Sequence, residues 1–513
     1  MKRLSLNQIF FNLISIVLCI SAVVFFYLIF DSQKDRVLSW DEVHYQQAIQ
    51  RGIVGNALET NSATLSQFLR YSYAKLVSDT VLLQKVIQEM PDEQEDVFLL
   101  RHFHPVLPVY VWILCKQISA ENWIVLSNCL LLSLFALLFY FYLKSSPLPY
   151  PIFYFFIGLS ILFISPIFAS TFQTANFHSF FSLSCLFFFL QLQNFKSDEQ
   201  KLSTQLSLSF SIALMILMLE TYIVIIFFTS IFYFLSFRNQ PQAIAKILCF
   251  TLLWVFLLNP SFFYTGGSLK SWAYYTYRIF FASNEEYQSV RLLSVIKDFF
   301  LGHISLTILI LTSLFALVKN YHRVENPMLL LLFCGFAYLL FMLPFALYHT
   351  YLMPAFLLIL LASLLIIKSL SDSFVVKLIL VLCILAETIY GFVTIPFEQI
   401  RAKHQAEKKE IWQIIQLAQQ TPLPILADAS HVFNYYSQST QFKKLRTIRE
   451  SHPEFYERVH YQNLNRYQAI QNQEFGAIIL LKIRNYTTED FEFLISAGYE
   501  KITTENYYLF VKK

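Results

Sequence analysis

The feature that most constrains this chain is a succession of apolar runs long enough to cross a bilayer. The first extends from Ile9 to Phe30, and ten more lie near 124–143, 150–169, 176–195, 206–219, 222–237, 246–260, 299–318, 328–347, 351–367 and 374–394. A helix needs roughly 20 mostly apolar residues to span the hydrocarbon core, where every backbone polar group must be satisfied internally. Composition agrees: 14% of the 513 residues are charged, against about 25% in a soluble domain. The pattern predicts a multi-pass α-helical membrane protein of eleven spans.

Orientation follows from the positive charges. Lys2 and Arg3 precede the first run, which is too long for a signal-peptide core and reads as an uncleaved span with a cytoplasmic N-terminus. The connectors then expected on the cytoplasmic side hold Lys144, Lys196 and Lys201, Arg238 and Lys246, Lys319 and Arg323, and Lys368 and Lys377. The short connectors expected outside, around Ser170–Ala175, Glu220–Thr221 and Tyr348–Thr350, hold no Lys or Arg. This scheme treats 206–237 as two short spans folded back at Glu220.

Four regions result: a first span at 1–30, an outer loop at 31–123, a membrane bundle at 124–394 with an outer loop at 261–298, and an outer tail at 395–513. In the first loop Ile49, Ile53, Leu65, Phe68, Leu69, Val81, Leu82 and Val86 recur at roughly helical spacing among charges, which predicts amphipathic helices along the membrane surface. Val106 to Ile118, interrupted by Pro108, reads as an interfacial or re-entrant helix, with a short span as the alternative. In the tail, Glu398 to Gln420 reads as a charged helix, and Pro424–Asp428, Phe475–Leu481 and Tyr507–Val511 as strands, so a small α/β domain is expected. The seven cysteines all lie in apolar stretches, with no CxxC and no zinc spacing, as packing residues would. A net charge of +4 without a basic run excludes nucleic acid as a partner.

Against this apolar background, Trp40-Asp41-Glu42-Val43-His44-Tyr45 places two adjacent carboxylates about ten residues after the first run. Arg101-His102-Phe103-His104-Pro105-Val106-Leu107-Pro108 closes the same loop. Charge beside lipid is costly and calls for a reason. These two stretches, together with Tyr348-His349-Thr350-Tyr351-Leu352-Met353-Pro354, resemble the GT-C superfamily of membrane glycosyltransferases, nearest the lipid A aminoarabinose transferase and protein O-mannosyltransferase branches. Two departures stand out. His349 occupies a place where many members have Arg or Lys, and Thr171–His178 lacks the second acid many members carry.

The resemblance implies inverting transfer of a sugar from a polyprenyl-phosphate donor to a lipid, protein or glycan acceptor, at the outer face of a bacterial inner membrane. Membrane lipids are the other partners. Asp41 aligns with the catalytic acid and is the candidate general base, with Glu42 orienting it or binding the acceptor. As an alternative, both acids simply suit a helix N-terminus. Arg101, His102 and His104 are candidates for the lipid phosphate or for headgroup anchoring. Lys270 and Arg278, with Arg291, are further phosphate candidates, and Tyr45, His349 and Glu220 complete the candidate substrate-binding set. Glu387 reads as hydrogen-bonded within the bundle, and Asp428 as either a strand-end ligand site or a turn cap. No organic cofactor is implied; a divalent metal is left open. Two rival readings are a lipid or glycan flippase, against which the lack of two related halves counts, and a non-catalytic scaffold of envelope assembly.

Overall fold

The computed structural model describes residues 6–38, 40–58, 64–89, 106–145, 151–197, 201–219, 221–237, 241–264, 266, 269, 292–319, 326–343, 349–367, 374–445, 466–482 and 486–512. The chain divides into two compact units. One comprises Met1–Asp31, Gly52–Leu58 and His102–Pro396; the other comprises Ser32–Arg51, Glu59–Arg101 and Phe397–Lys513.

The first unit is a helical membrane bundle. Among the described residues, five helices are long and apolar enough to cross a bilayer: Leu6–Ser32, Trp123–Lys144, Pro241–Leu258, Thr350–Ile367 and Phe374–Thr394. Shorter apolar helices cover Leu107–Ile118, Leu202–Met218, Tyr222–Ile231, Ile304–Lys319 and Pro327–Met342. The expected single span at 150–169 is instead two helices, Pro151–Ile164 and Pro166–Gln173, bent by 71°. Ser165 ends the first and caps the second, accepting the Phe168 N–H at 3.3 Å, while Pro166 has no N–H with which to continue a helix. Leu107–Ile118 has 12 residues, a length of about 18 Å, short of the roughly 30 Å hydrocarbon core. The chain also breaks between Met218 and Tyr222, next to the expected fold-back.

Met353–Ile367 forms the centre of this unit, with every residue buried. Apolar side chains gain little by leaving lipid for protein, so close van der Waals packing must hold such helices together. Gly335 shows how close: a Cβ there would lie 2.7 Å from Ile359 Cγ1. Phenylalanines fill the rest, with Phe168 against Phe172 at 4.5 Å and against Phe163 at 5.4 Å, the latter edge to face.

The second unit contains a five-stranded sheet ordered β2-β1-β3-β5-β4, from β1 (Ile425–Ala427), β2 (Phe442–Lys444), β3 (Ala477–Leu481), β4 (Tyr499–Thr503) and β5 (Tyr507–Lys512). β2, β1 and β3 are parallel, whereas β5 and β4 are antiparallel additions. This is the expected α/β domain, with two further strands. Period-two alternation splits its core: Ile425, Ala427, Phe442 and Ile479 pack with Ile411, Ile414 and Phe433, while Leu426, Ile478, Leu480 and Phe510 pack with Phe493 and Leu494. Helix Phe397–Ala418 closes the first face; its buried Glu410 accepts both the Asn506 N–H (2.7 Å) and Nδ2 (2.6 Å). Thr487 and Asp490 cap helix Thr488–Ser496 reciprocally. Helices Leu65–Leu76 and Thr80–Gln88 form a pair, closed where Arg70 grips Glu89 at 2.9 and 3.0 Å.

Candidate functional site

The acid-bearing stretch forms helix Trp40–Gln50, with Asp41 and Glu42 in its first turn, where carboxylates complement the helix dipole. Beyond Gln50 the chain turns at Gly52, whose φ of 73° is left-handed backbone that favours glycine. The helix belongs to the same compact unit as the C-terminal sheet, and its packing explains why. Glu42, Val43, Gln46 and Ile49 are all buried. Val43 enters the core formed by Ile411, Ile414 and Phe433, a burial that contributes about 2 kcal/mol.

Glu42 has no solvent exposure and is held by both prongs of Arg36, with Nη1 2.6 Å from Oε2 and Nη2 on Oε1. Charge-assisted, two-pronged pairing of this kind fixes direction as well as distance. The approach to the helix is fastened too. The Leu38 N–H donates to the Tyr436 hydroxyl at 3.1 Å, and Gln405 Nε2 donates to Asp35 Oδ2 at 2.9 Å. Tyr436 and Tyr435 lie on helix Ser430–Ser437. Burial pushes both hydroxyls above the usual tyrosine range; the Glu42 charge adds to the rise, while the Leu38 bond and Arg36 oppose it at Tyr436.

The other sequence candidates fall into three groups. Arg101, His102, His104, Glu220, Lys270, Arg278 and Arg291 lie outside the described residues, as do the side chains of Asp41 and His349. The His349 backbone opens a 3-10 turn, His349–Leu352, and Tyr45 is half-buried. Glu387 and Asp428 have definite partners. Glu387 Oε2 accepts the Ser305 N–H at 2.9 Å, near the start of helix Ile304–Lys319. Asp428 accepts the Leu481 N–H at 2.7 Å and the Tyr486 hydroxyl at 2.8 Å, which ties the ends of β1 and β3 together.

Arg36 and Tyr436 are absent from the sequence-level candidates. Arg36 lies in a charged run, but nothing local names its partner. A second polar centre was missed in the bundle. His303 is buried, with Nε2 2.8 Å from Ser165 Oγ and Nδ1 2.8 Å from the Phe299 carbonyl. A carbonyl only accepts, so Nδ1 carries the hydrogen, and in the neutral ring the Ser165 hydroxyl donates to Nε2. Among the described residues, no group of three or more His, Cys, Asp or Glu could hold a metal ion.

With this geometry in place, the fold can be assigned: it is the one seen in ArnT. Two crystal structures of ArnT from Cupriavidus metallidurans match the chain over 96% of its length and 97% of ArnT. The one bound to undecaprenyl phosphate has a TM-score of 0.55 at 10% identity, and the apo one 0.54 at 9%. No family model and no curated protein sequence matches.

Proposed function

We propose that this membrane protein is a glycosyltransferase that moves a sugar from a polyprenyl-phosphate-linked donor to an acceptor, with inversion and with Asp41 as general base. The observation that carries the reading is the whole-chain likeness to ArnT, a protein crystallised with undecaprenyl phosphate. The acid-bearing helix after the first span adds the chemistry. The protein would lie in a bacterial inner membrane, N-terminus in the cytoplasm and C-terminal domain outside.

In the proposed step the Asp41 carboxylate takes the proton of an acceptor hydroxyl. The freed oxygen pair forms a bond to the anomeric carbon from the face opposite the phosphate. The bond from that carbon to the phosphate oxygen breaks, and its electron pair leaves on the polyprenyl phosphate. The leaving group departs as an anion, so it needs cations rather than an acid. Arg101, His102, His104, Lys270 and Arg278 are the candidates to steady it, with Tyr45, His349 and Glu220 as candidate contacts to sugar or acceptor. A nearby carboxylate also favours the positive charge that develops on the sugar ring.

The test is mass spectrometry of envelope lipids and glycans in a deletion strain, paired with undecaprenyl phosphate titration of the reconstituted protein. Loss of one sugar modification together with saturable binding is expected. An unchanged envelope, with lipid moved across vesicles and no covalent product, would contradict the proposal and favour a flippase.

A further inference from the structure

We infer that the two adjacent acids divide their labour: Glu42, with Arg36 and Tyr436, is a positioning residue through which the C-terminal domain holds Asp41 in place. The inference rests on Asp41 being the base, as proposed above. Glu42 is fully buried, with both carboxylate oxygens in the Arg36 fork. A carboxylate so placed presents no surface to a substrate. Its companions Gln46 and Ile49 recur at i+4 and i+7, so this stripe faces the domain interior. Successive helix positions differ by about 100°, so position 41 is turned off that stripe.

The backbone is fastened on both sides of position 41. Before it, Asp35 is bonded to Gln405 and Leu38 to Tyr436. After it, Glu42 is gripped by Arg36, and Val43 is buried among Ile411, Ile414 and Phe433. Every one of these partners except Arg36 belongs to the C-terminal segment, and Arg36 is itself held in the same unit. A general base must come within hydrogen-bond reach of the proton it takes. Displacing such a group by about 1 Å can cost roughly 100-fold in rate. The domain therefore sets the reach of the base.

The experiment uses the full-length protein in lipid nanodiscs, with three readouts: sugar transfer followed by mass spectrometry, undecaprenyl phosphate titration, and hydrogen exchange by segment. Arg36→Ala and Glu42→Ala are each expected to lower the transfer rate about 100-fold. Undecaprenyl phosphate affinity stays at the wild-type value, exchange rises most over 40–50, and the strands β1 and β3 remain folded as the slowest-exchanging part of their unit. The double variant is no slower than either single one, because the two residues act as one unit. Wild-type transfer in Arg36→Ala, alongside an inactive Asp41→Asn, would overturn the positioning role and leave the proposed base standing. Activity in Asp41→Asn would overturn the base itself. Should Arg36→Ala unfold the sheet, Arg36→Lys and Tyr436→Phe decide. Arg36→Lys keeps the charge but loses the two-pronged geometry. Wild-type rates in both would overturn the inference, and slowed transfer with unchanged undecaprenyl phosphate affinity would support it.

Discussion

Two buried polar centres, one in each unit, solve the same physical problem in different ways. In the bundle, Ser165 and His303 pair through a hydrogen bond, and each also serves the backbone, at Phe168 N–H and at the Phe299 carbonyl. In the other unit, Arg36 forms an ion pair with Glu42 in the first turn of helix Trp40–Gln50, next to Asp41. The hydrogen-bonded pair secures a point where a helix must break. The charged pair secures a helix start whose neighbour is the candidate base. A buried polar group costs free energy unless it is paired, so pairing alone does not distinguish structure from function. What distinguishes them here is what the pairing holds in position.

The largest expected contrast comes from removing one partner of the charged pair. Arg36→Ala removes the two-pronged partner of buried Glu42, a loss of about 3–5 kcal/mol to the C-terminal unit, measurable by chemical denaturation with a probe in the sheet. Next is Ser165→Ala, which removes a helix cap and the His303 partner together. It should destabilise the bundle by about 1–2 kcal/mol and lower its thermal midpoint in detergent, with sugar transfer less affected than in Arg36→Ala. An Arg36→Ala variant as stable as the wild type would dissolve the contrast.

Much of the fold was legible because lipid leaves few options. The long apolar runs forecast the helical bundle, and β1, β3 and β5 stood out as short apolar stretches. β2 and β4 were missed for a physical reason. They are the two edges of the sheet, and their sequences Phe442-Lys443-Lys444 and Tyr499-Glu500-Lys501-Ile502-Thr503 carry the charges that protect an edge from further pairing. The break at Ser165 was hidden because a continuous apolar run masked the consequence of Pro166. At the candidate site, the adjacent acids were visible but their setting was not. Tyr436 meets Leu38 across nearly 400 positions, and no local pattern encodes such a pairing.

Smaller effects sharpen the same comparison. Tyr436→Phe deletes the acceptor for the Leu38 N–H and should cost about 1 kcal/mol, seen as faster exchange at that amide. A shift below a few tenths would show that the approach segment is held elsewhere. The least effect in ordinary buffers is alkaline. Burial raises the Tyr499 hydroxyl, which donates to the Phe475 carbonyl at 3.0 Å, to about 12, and raises Tyr507 as well. Both are neutral when folded and ionise more readily when unfolded. Their contribution is therefore complete below about pH 10 and lost as pH rises toward 12. A pH titration of unfolding that stays flat through that window would contradict the burial assigned to them.

The most direct measurement is sugar transfer by the purified Asp41→Asn protein in nanodiscs, with undecaprenyl phosphate titration and hydrogen exchange on the same sample. The account predicts product formation reduced at least 100-fold, with lipid binding and protection patterns as in the wild type. Transfer at the wild-type rate would contradict it.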